Sequence, residues 1–327
     1  MLTHIPFSLL ELASVREGGS AEETLKNSLR YAQCAEALGF KRFWLAEHHN
    51  MEGIASSATS VLIGYIAGGT KTLRVGSGGI MLPNHPPLVI AEQFGTLASL
   101  YPNRIDLGLG RAPGTDPITS RALRRDDMRA DDFPTEIHLL QQLLQPLAPG
   151  QRLKAIPGAG TEVPIWLLGS SLFSAELAAK RGLPYAFAGH FAPRLMREAI
   201  HVYQSTFQPS DVLDRPYTML AMPAIVAETE EEAAYLSTTS HQRILALLRG
   251  APLWLKPPVA SMDGLWSREE ELHVKDFLAL AAVGNPEQVK AKLENLVEEL
   301  GIDEFMFTVD IYDPEKRMKA VELLATA

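Results

Sequence analysis

Short apolar runs alternate with longer amphipathic segments along almost the whole chain. The apolar runs fall at residues 5–10, 42–46, 73–81, 104–109, 164–168, 184–188, 217–226 and 304–309. Each has the length and composition of a buried strand. The stretches between them carry helical periodicity. Strands and helices in strict alternation predict a parallel sheet with crossover helices, and eight such units predict an α/β fold of the (β/α)₈ TIM-barrel class. An open doubly wound sheet is the competing topology. It requires a point where strand order reverses, and the pattern offers none.

Boundary signals agree with this count. Ser20 followed by Glu23 predicts a capping box, with the hydroxyl and the carboxylate each meeting a free backbone N–H. Leu25, Leu29, Ala32 and Leu38 then form an apolar face, and Gly39 supplies the left-handed stop. Asn285, Pro286 and Gln288 open a later helix by the same logic, and Gly301 closes it. Cys34 falls inside the first helix, where a small buried hydrophobe is expected rather than a reactive thiol.

Eight βα units need about 250 residues, fewer than the 327 present. Two stretches take up the surplus. Residues 112–132 are long and polar and contain Pro113-Gly114; residues 250–267 hold Pro252, Pro257, Pro258 and Gly264. Both read as insertions, one after the fourth strand and one before the last βα unit. No shift of composition divides the chain, so residues 1–327 are read as one barrel domain.

Composition narrows the function classes. A hydrophobic fraction of 46% with 21% charged residues is the balance of a globular protein with a substantial core. The single cysteine excludes an internal disulfide and a multi-cysteine zinc site. A net charge of −9 argues against nucleic acid. The densest basic stretch (Arg121, Arg124, Arg125 and Arg129) is interrupted by Asp126 and Asp127 and reads as a solvated or lid-like segment. No run is long enough to span a membrane and no secretory leader is visible. A cytoplasmic protein is expected.

Active sites of such barrels are built by the loops that follow the strands, and four junctions carry unusual chemistry. The second strand ends in FWLAEHHN, which places Glu47, His48, His49 and Asn50 together as the strand surfaces; an imidazole there can exchange protons near neutral pH. The third strand carries VGSGGIMLPNHPP, in which Gly76, Gly78 and Gly79 permit a bulge or the close approach of a flat ligand. The fourth gives RIDLGLGRAPGTD, where Arg111 can hold a phosphate with paired N–H donors or enter a surface ion pair. The fifth runs through Gly169, Ser170 and Ser171 into a helix beginning near Leu172, whose open N–H groups and dipole favour an anion. Ser171 and Ser174 are spaced to add hydroxyls, and Ser171 is also a candidate N-cap.

Taken in order and spacing, FSLLELASV, AEHHN, GSGGIMLPNHPP, RIDLGLGRAPGTD, SSLFSAELAAKRGL and FMFTVDIYD resemble the bacterial-luciferase-like monooxygenase family, in particular its single-chain oxidoreductase branch. The resemblance spans nearly the whole chain. It implies a (β/α)₈ barrel, commonly a homodimer, that uses FMN reduced by a separate flavin reductase together with O₂ to oxidise a small organic substrate. His48 resembles the family's catalytic histidine, assisting proton transfer at the flavin. Gly78 and Gly79 correspond to a small-residue pair, often joined by a cis peptide, beneath the flavin ring. Arg111, Ser171 and Ser174 resemble phosphate-binding positions, with the backbone N–H groups of Ser170, Ser171, Leu172 and Phe173 completing the pocket. One departure matters: Gly110 stands where light-emitting members carry a reactive cysteine, so neither light emission nor long-chain aldehyde specificity is implied.

Some members of this fold use the deazaflavin F420 for hydride transfer, and the phosphate-site residues do not separate it from FMN. A flavin binder without turnover is a further possibility. From a different class, a metal-dependent hydrolase would use His48 and His49 with a distant carboxylate such as Glu11 or Asp310. Adjacent histidines on extended backbone point opposite ways, which disfavours that set. The aromatic residues Phe7, Trp254 and Trp266 are candidates to line a pocket, with packing the expected role for each.

Overall fold

The computed structural model describes residues 2–112, 116–123 and 132–327. Strands β1 (Phe7–Glu11), β2 (Arg42–Leu45), β3 (Arg74–Met81), β4 (Ile105–Gly110), β5 (Ile165–Gly169), β6 (Tyr185–Ala188), β7 (Thr218–Val226) and β9 (Glu304–Thr308) pair in parallel around a ring. The pairings β6–β7, β7–β9 and β9–β1 close it. Closure excludes the open sheet. A further short strand, β8 (Ala282–Gly284), was not anticipated and pairs with the far end of β7 at Ala224–Val226, outside the ring. Three residues are too few to show a period.

The crossover helices are α1 (Ala21–Ala37), α2 (Thr59–Gly68), α3 (Pro87–Leu100), α4 (Pro117–Ala122), α5 (Phe133–Leu144), α6 (Leu172–Arg181), α7 (Met196–Thr206), α8 (Glu230–Leu248), α9 (Arg268–Phe277), α10 (Pro286–Leu300) and α11 (Pro314–Leu324). The α1 start forms only half of the expected capping box. Ser20 Oγ accepts from the Glu23 N–H at 3.1 Å, but the Glu23 carboxylate is drawn away by Arg16. Complete boxes occur at Ser267/Glu270 and Asn285/Gln288. Gly39 and Gly301 both take positive φ as expected. Cys34 is half-buried rather than buried, and burial raises its thiol pKa, which keeps it protonated and unreactive.

Strand alternation sorts side chains between two cores. Outward residues such as Leu9, Phe43, Val75, Leu107 and Phe305 pack against the helices. Inward residues, among them Leu10, Trp44, Trp166, Met219 and Met306, fill the barrel, with the Trp44 and Trp166 rings edge to face at 5.2 Å.

Below them, at the N-terminal ends of the strands, lies a buried charge network. Arg42 donates to Asp106 at 2.6 Å and to Glu304 at 3.0 Å, and Arg74 donates to Asp106. Ser8 and Tyr217 donate to Glu304, and the Trp44 indole to Asp106. Burial alone would raise the Asp106 carboxyl pKa, but Arg42 and Arg74 hold it below the ordinary value.

The segment 250–267 is irregular, as expected, and is strapped across the opposite face. Leu253 N–H donates to Glu52 O at 2.8 Å, Leu255 N–H to Val15 O at 2.9 Å and Glu17 N–H to Leu255 O at 2.8 Å. Gly53 has φ +92, and a Cβ there would lie 2.4 Å from the Leu253 carbonyl carbon, so only glycine fits beneath the strap. Within the other insertion, 112–132, Asp116 caps the short helix α4. Residues 113–115 and 124–131 lie outside the described residues, and with them Arg124, Arg125, Asp126, Asp127 and Arg129 of the basic stretch.

Candidate active site

Two adjoining cavities open at the C-terminal ends of the strands. The first, of about 310 Å³, is lined by Gly78 and Gly79 of β3, Arg111 after β4, and Ser170, Ser171, Phe173 and Ser174 at the start of α6. Of the expected cofactor-binding residues only Leu172 is missing from the wall; its side chain turns to the core between barrel and helices. Three separate junctions thus converge on one space. The aromatic candidates Phe7, Trp254 and Trp266 line neither cavity.

At the α6 end, Ser171 occupies the N-cap position in extended backbone (φ −137, ψ 166), yet its hydroxyl makes no capping hydrogen bond. The first-turn N–H groups are left without a side-chain acceptor, and the dipole end is positive. The buried Ser174 hydroxyl bonds the Ser171 carbonyl at 3.1 Å. Arg111 stacks over the Phe173 ring at 4.1 Å and has no ion pair among the described residues. Two hydroxyls, a helix N-terminus and a guanidinium therefore face the same space without an anion of their own.

The opposite wall is glycine. The Gly78–Gly79 peptide is cis, and the β3–β4 register shifts between Ser77 and Ile80. A Cβ on Gly78 would meet Leu10 Cδ1 at 2.5 Å, and one on Gly79 would meet the Gly108 carbonyl oxygen at 2.8 Å. The β4 backbone leaves no room for a Cβ on Gly79, a Cβ on Gly78 would have to displace the Leu10 side chain, and both glycines put bare backbone into the cavity wall.

His48 does not reach this first cavity. It lines a second, of about 130 Å³, with Leu12, Ile54, Arg243, Phe277 and Asp310 among its neighbours. His190 and Phe191 line both cavities and form the partition. Nδ1 of His48 and Nδ1 of His190 are buried without a hydrogen-bond partner. Burial, reinforced by the Arg243 charge, lowers His48 to about 4, and burial lowers His190 likewise to about 4. Both rings are neutral near pH 7, each with a nitrogen free to accept or relay a proton.

His190 was missed by sequence reasoning. It follows β6 directly in AGHF, so the rule that singled out the other strand ends would have found it.

The polar cluster after β2 divides. The backbone there is held by Ser56 and Thr59, whose hydroxyls donate to Ala46 O, and by the His48 N–H, which donates to Ser56 O at 2.9 Å. Glu47 turns away from His48 toward β3. Its carboxylate takes His49 Nε2 at 2.8 Å, His85 Nε2 at 2.7 Å and the Met81 N–H at 3.0 Å. Burial alone would raise Glu47; the bonds from His49 and His85 hold it down to about 2. Asn50 lies outside, donating to Asp116 at 3.1 Å.

The donor atoms of Glu47, His49 and His85 lie within 4.8 Å of one another, a geometry able to hold a metal ion. The hydrolase set, by contrast, is not assembled. His48 and His49 face different surroundings, and Glu11 is taken by Arg317, Ser28 and the Ala13 N–H. Asp310 does share the second cavity with His48, but it is paired with Arg243.

A parallel barrel with a ligand-sized site built by loops at its C-terminal mouth is the arrangement used by barrel enzymes. The particular family follows from comparison: the profile of the luciferase-like monooxygenases matches residues 5–304, and the chain belongs to that family. An uncharacterized protein, YvbT, of Bacillus subtilis (strain 168) is 54% identical over 97% of this chain and 95% of its own length. A luciferase-like monooxygenase of Escherichia coli (strain K12) is 49% identical over 98% and 96%. Among solved structures, apo-MsnO8 superposes with a TM-score of 0.88 at 34% identity, covering 99% of this chain and 98% of its own. Two more distant neighbours share the fold. The oxygenating constituent of 3,6-diketocamphane monooxygenase of Pseudomonas putida, in complex with FMN, has a TM-score of 0.73 at 19% identity over 99% and 97%. An F420-dependent secondary alcohol dehydrogenase has 0.66 at 14% identity over 99% and 100%. Among the described residues no helix is long and apolar enough to cross a membrane.

Proposed function

We propose that this chain is a two-component flavin-dependent monooxygenase that takes FMN in the first cavity and a small organic substrate in the second. The observation that carries the reading is the unsatisfied anion site at the start of α6. Its N-cap hydroxyl makes no cap bond, and Arg111 beside it has no ion pair among the described residues. Ser171, Ser174, Arg111 and the first-turn N–H groups would hold the phosphate, and the Gly78–Gly79 backbone would lie against the ring system. These residues fit a phosphate-bearing planar cofactor. When bound in reduced form, FMN supplies the electrons that reduce O₂ and deliver one oxygen atom to the substrate. A separate flavin reductase is the partner this reading requires.

The chain's own residues do the rest. His48 and His190, neutral near pH 7, border the substrate cavity, and each has a ring nitrogen able to hold or pass a proton. Leu253 of the 250–267 strap and Phe191 add apolar surface to that space.

F420 also carries a phosphate and is the alternative cofactor. Family membership among monooxygenases favours FMN, because oxygen chemistry belongs to flavins. An anaerobic titration with reduced FMN, with F420 as competitor, tests the choice. Displacement of FMN by substoichiometric F420 would overturn it.

A further inference from the structure

The second cavity has walls that are largely apolar, including Leu12, Ile54, Ile244, Leu253 and Phe277, and one charged pair. Arg243 reaches it from α8 and is buried, with 5% of its surface exposed. Its Nη1 donates to Ser14 Oγ at 2.7 Å and meets Asp310 Oδ2 at 2.8 Å. A guanidinium carries five N–H donors. The Nε and Nη2 donors of Arg243 form no other hydrogen bond with the described residues, and Asp310 Oδ1 likewise has no partner among them. Both residues line the cavity, so the pair brings to its wall donors and an acceptor that no described residue uses.

Charge decides what can sit there. Arg243 and Asp310 cancel, and the other two titratable groups of the wall, His48 and His190, carry no charge near pH 7. A carboxylate ligand would meet Asp310, and an ammonium ligand would meet Arg243. Either would bring a full charge into a mostly apolar space with no free counter-ion, the arrangement that desolvation penalises most. A neutral head group that accepts from Arg243 and donates to Asp310 would satisfy both residues at once.

We propose that the second cavity selects a small neutral amphiphile, an apolar body with a donor–acceptor head such as a primary amide, seated on the Arg243–Asp310 pair. This rests on the reading of the first cavity as the cofactor site, since His190 and Phe191 would then place the apolar body next to the cofactor. Asp310 and Arg243 become the residues that set substrate specificity.

Calorimetric titration of the FMN-loaded protein near neutral pH with hexanamide, hexanoate and hexylammonium tests it. Hexanamide is expected to bind at least about tenfold more tightly than either ion. Asp310→Asn keeps the side-chain shape and leaves Arg243 uncompensated, so in that variant hexanoate is expected to overtake hexanamide. Equal or tighter binding of either ion by the wild type, or an order unchanged in Asp310→Asn, would overturn the proposal. The same titrations on flavin-free protein separate the two readings. If no FMN is retained yet the amide preference and its reversal persist, the cofactor assignment fails and the neutral-substrate site stands.

Discussion

At the N-terminal end of the barrel, Arg42 lies between the carboxylates of Asp106 and Glu304, and Ser8, Arg74, Trp44 and Tyr217 satisfy what remains. At the C-terminal end, His48 and His190 each bury an unpartnered nitrogen, Ser171 leaves its helix start uncapped and Arg111 has no ion pair among the described residues. Both ends place polar residues inside one barrel; the first closes its hydrogen bonds on itself, whereas the second does so around Glu47 but not at His48, His190, Ser171 or Arg111. A closed network serves the fold. An open one has donors and acceptors reserved for molecules from outside, and its members can change without unfolding the scaffold.

Substitution should separate the two ends. The largest effect is expected at the closed end: Arg42→Ala leaves buried Asp106 with Arg74 alone and buried Glu304 with Lys41 as its remaining cation, and should destabilise by about 3 kcal/mol, read as a fall in the denaturant midpoint. A loss below about 1 kcal/mol would show that the buried charge network does not hold this end of the barrel together.

At the open end the balance reverses. His48→Gln should slow turnover by about 10² or more while leaving the denaturant midpoint near wild type at pH 7. Stability should also respond to pH in a defined direction. Folded His48 and His190 titrate near 4, below the ordinary histidine value of 6.5, so on acidification the unfolded chain takes up protons first. Their penalty is absent above about pH 6.5 and grows as pH falls toward 4. His48→Gln should therefore flatten the acid limb of the stability profile by about one proton. An unchanged slope would contradict the assigned burial.

The smallest expected effect is the most specific one. A serine that serves as N-cap is worth about 1 kcal/mol to its helix. Ser171 makes no such bond, so Ser171→Ala should cost less than about 0.5 kcal/mol in thermal unfolding. A full capping loss would return Ser171 to an ordinary structural role.

The difference between the ends also explains what the sequence disclosed. The eight barrel strands were legible because each is a short, largely buried run set between helical patterns, and their ends fell within three residues of the observed ones. The α6 junction was legible because strand, glycine, serines and helix follow one another in sequence. The bottom network was not, since Arg42, Asp106 and Glu304 are far apart in the chain and meet only when the ring closes. Glu47, His48 and His49 are adjacent and read as one cluster, but beyond the end of β2 the chain sends His48 to the second cavity and Glu47 with His49 toward β3. The Arg243–Asp310 pair joins α8 to the end of β9, and no local pattern announces it.

The central claim is that the open end holds a flavin by its phosphate, and the most direct measurement compares FMN with riboflavin, which lacks that phosphate. In the wild type FMN should bind about 10² more tightly, as two or three charge-assisted hydrogen bonds provide. In the double variant Arg111→Ala/Ser171→Ala that advantage should shrink to about tenfold or less, with riboflavin affinity unaltered. Equal affinities in the wild type, or an FMN advantage that survives both substitutions, would contradict the account.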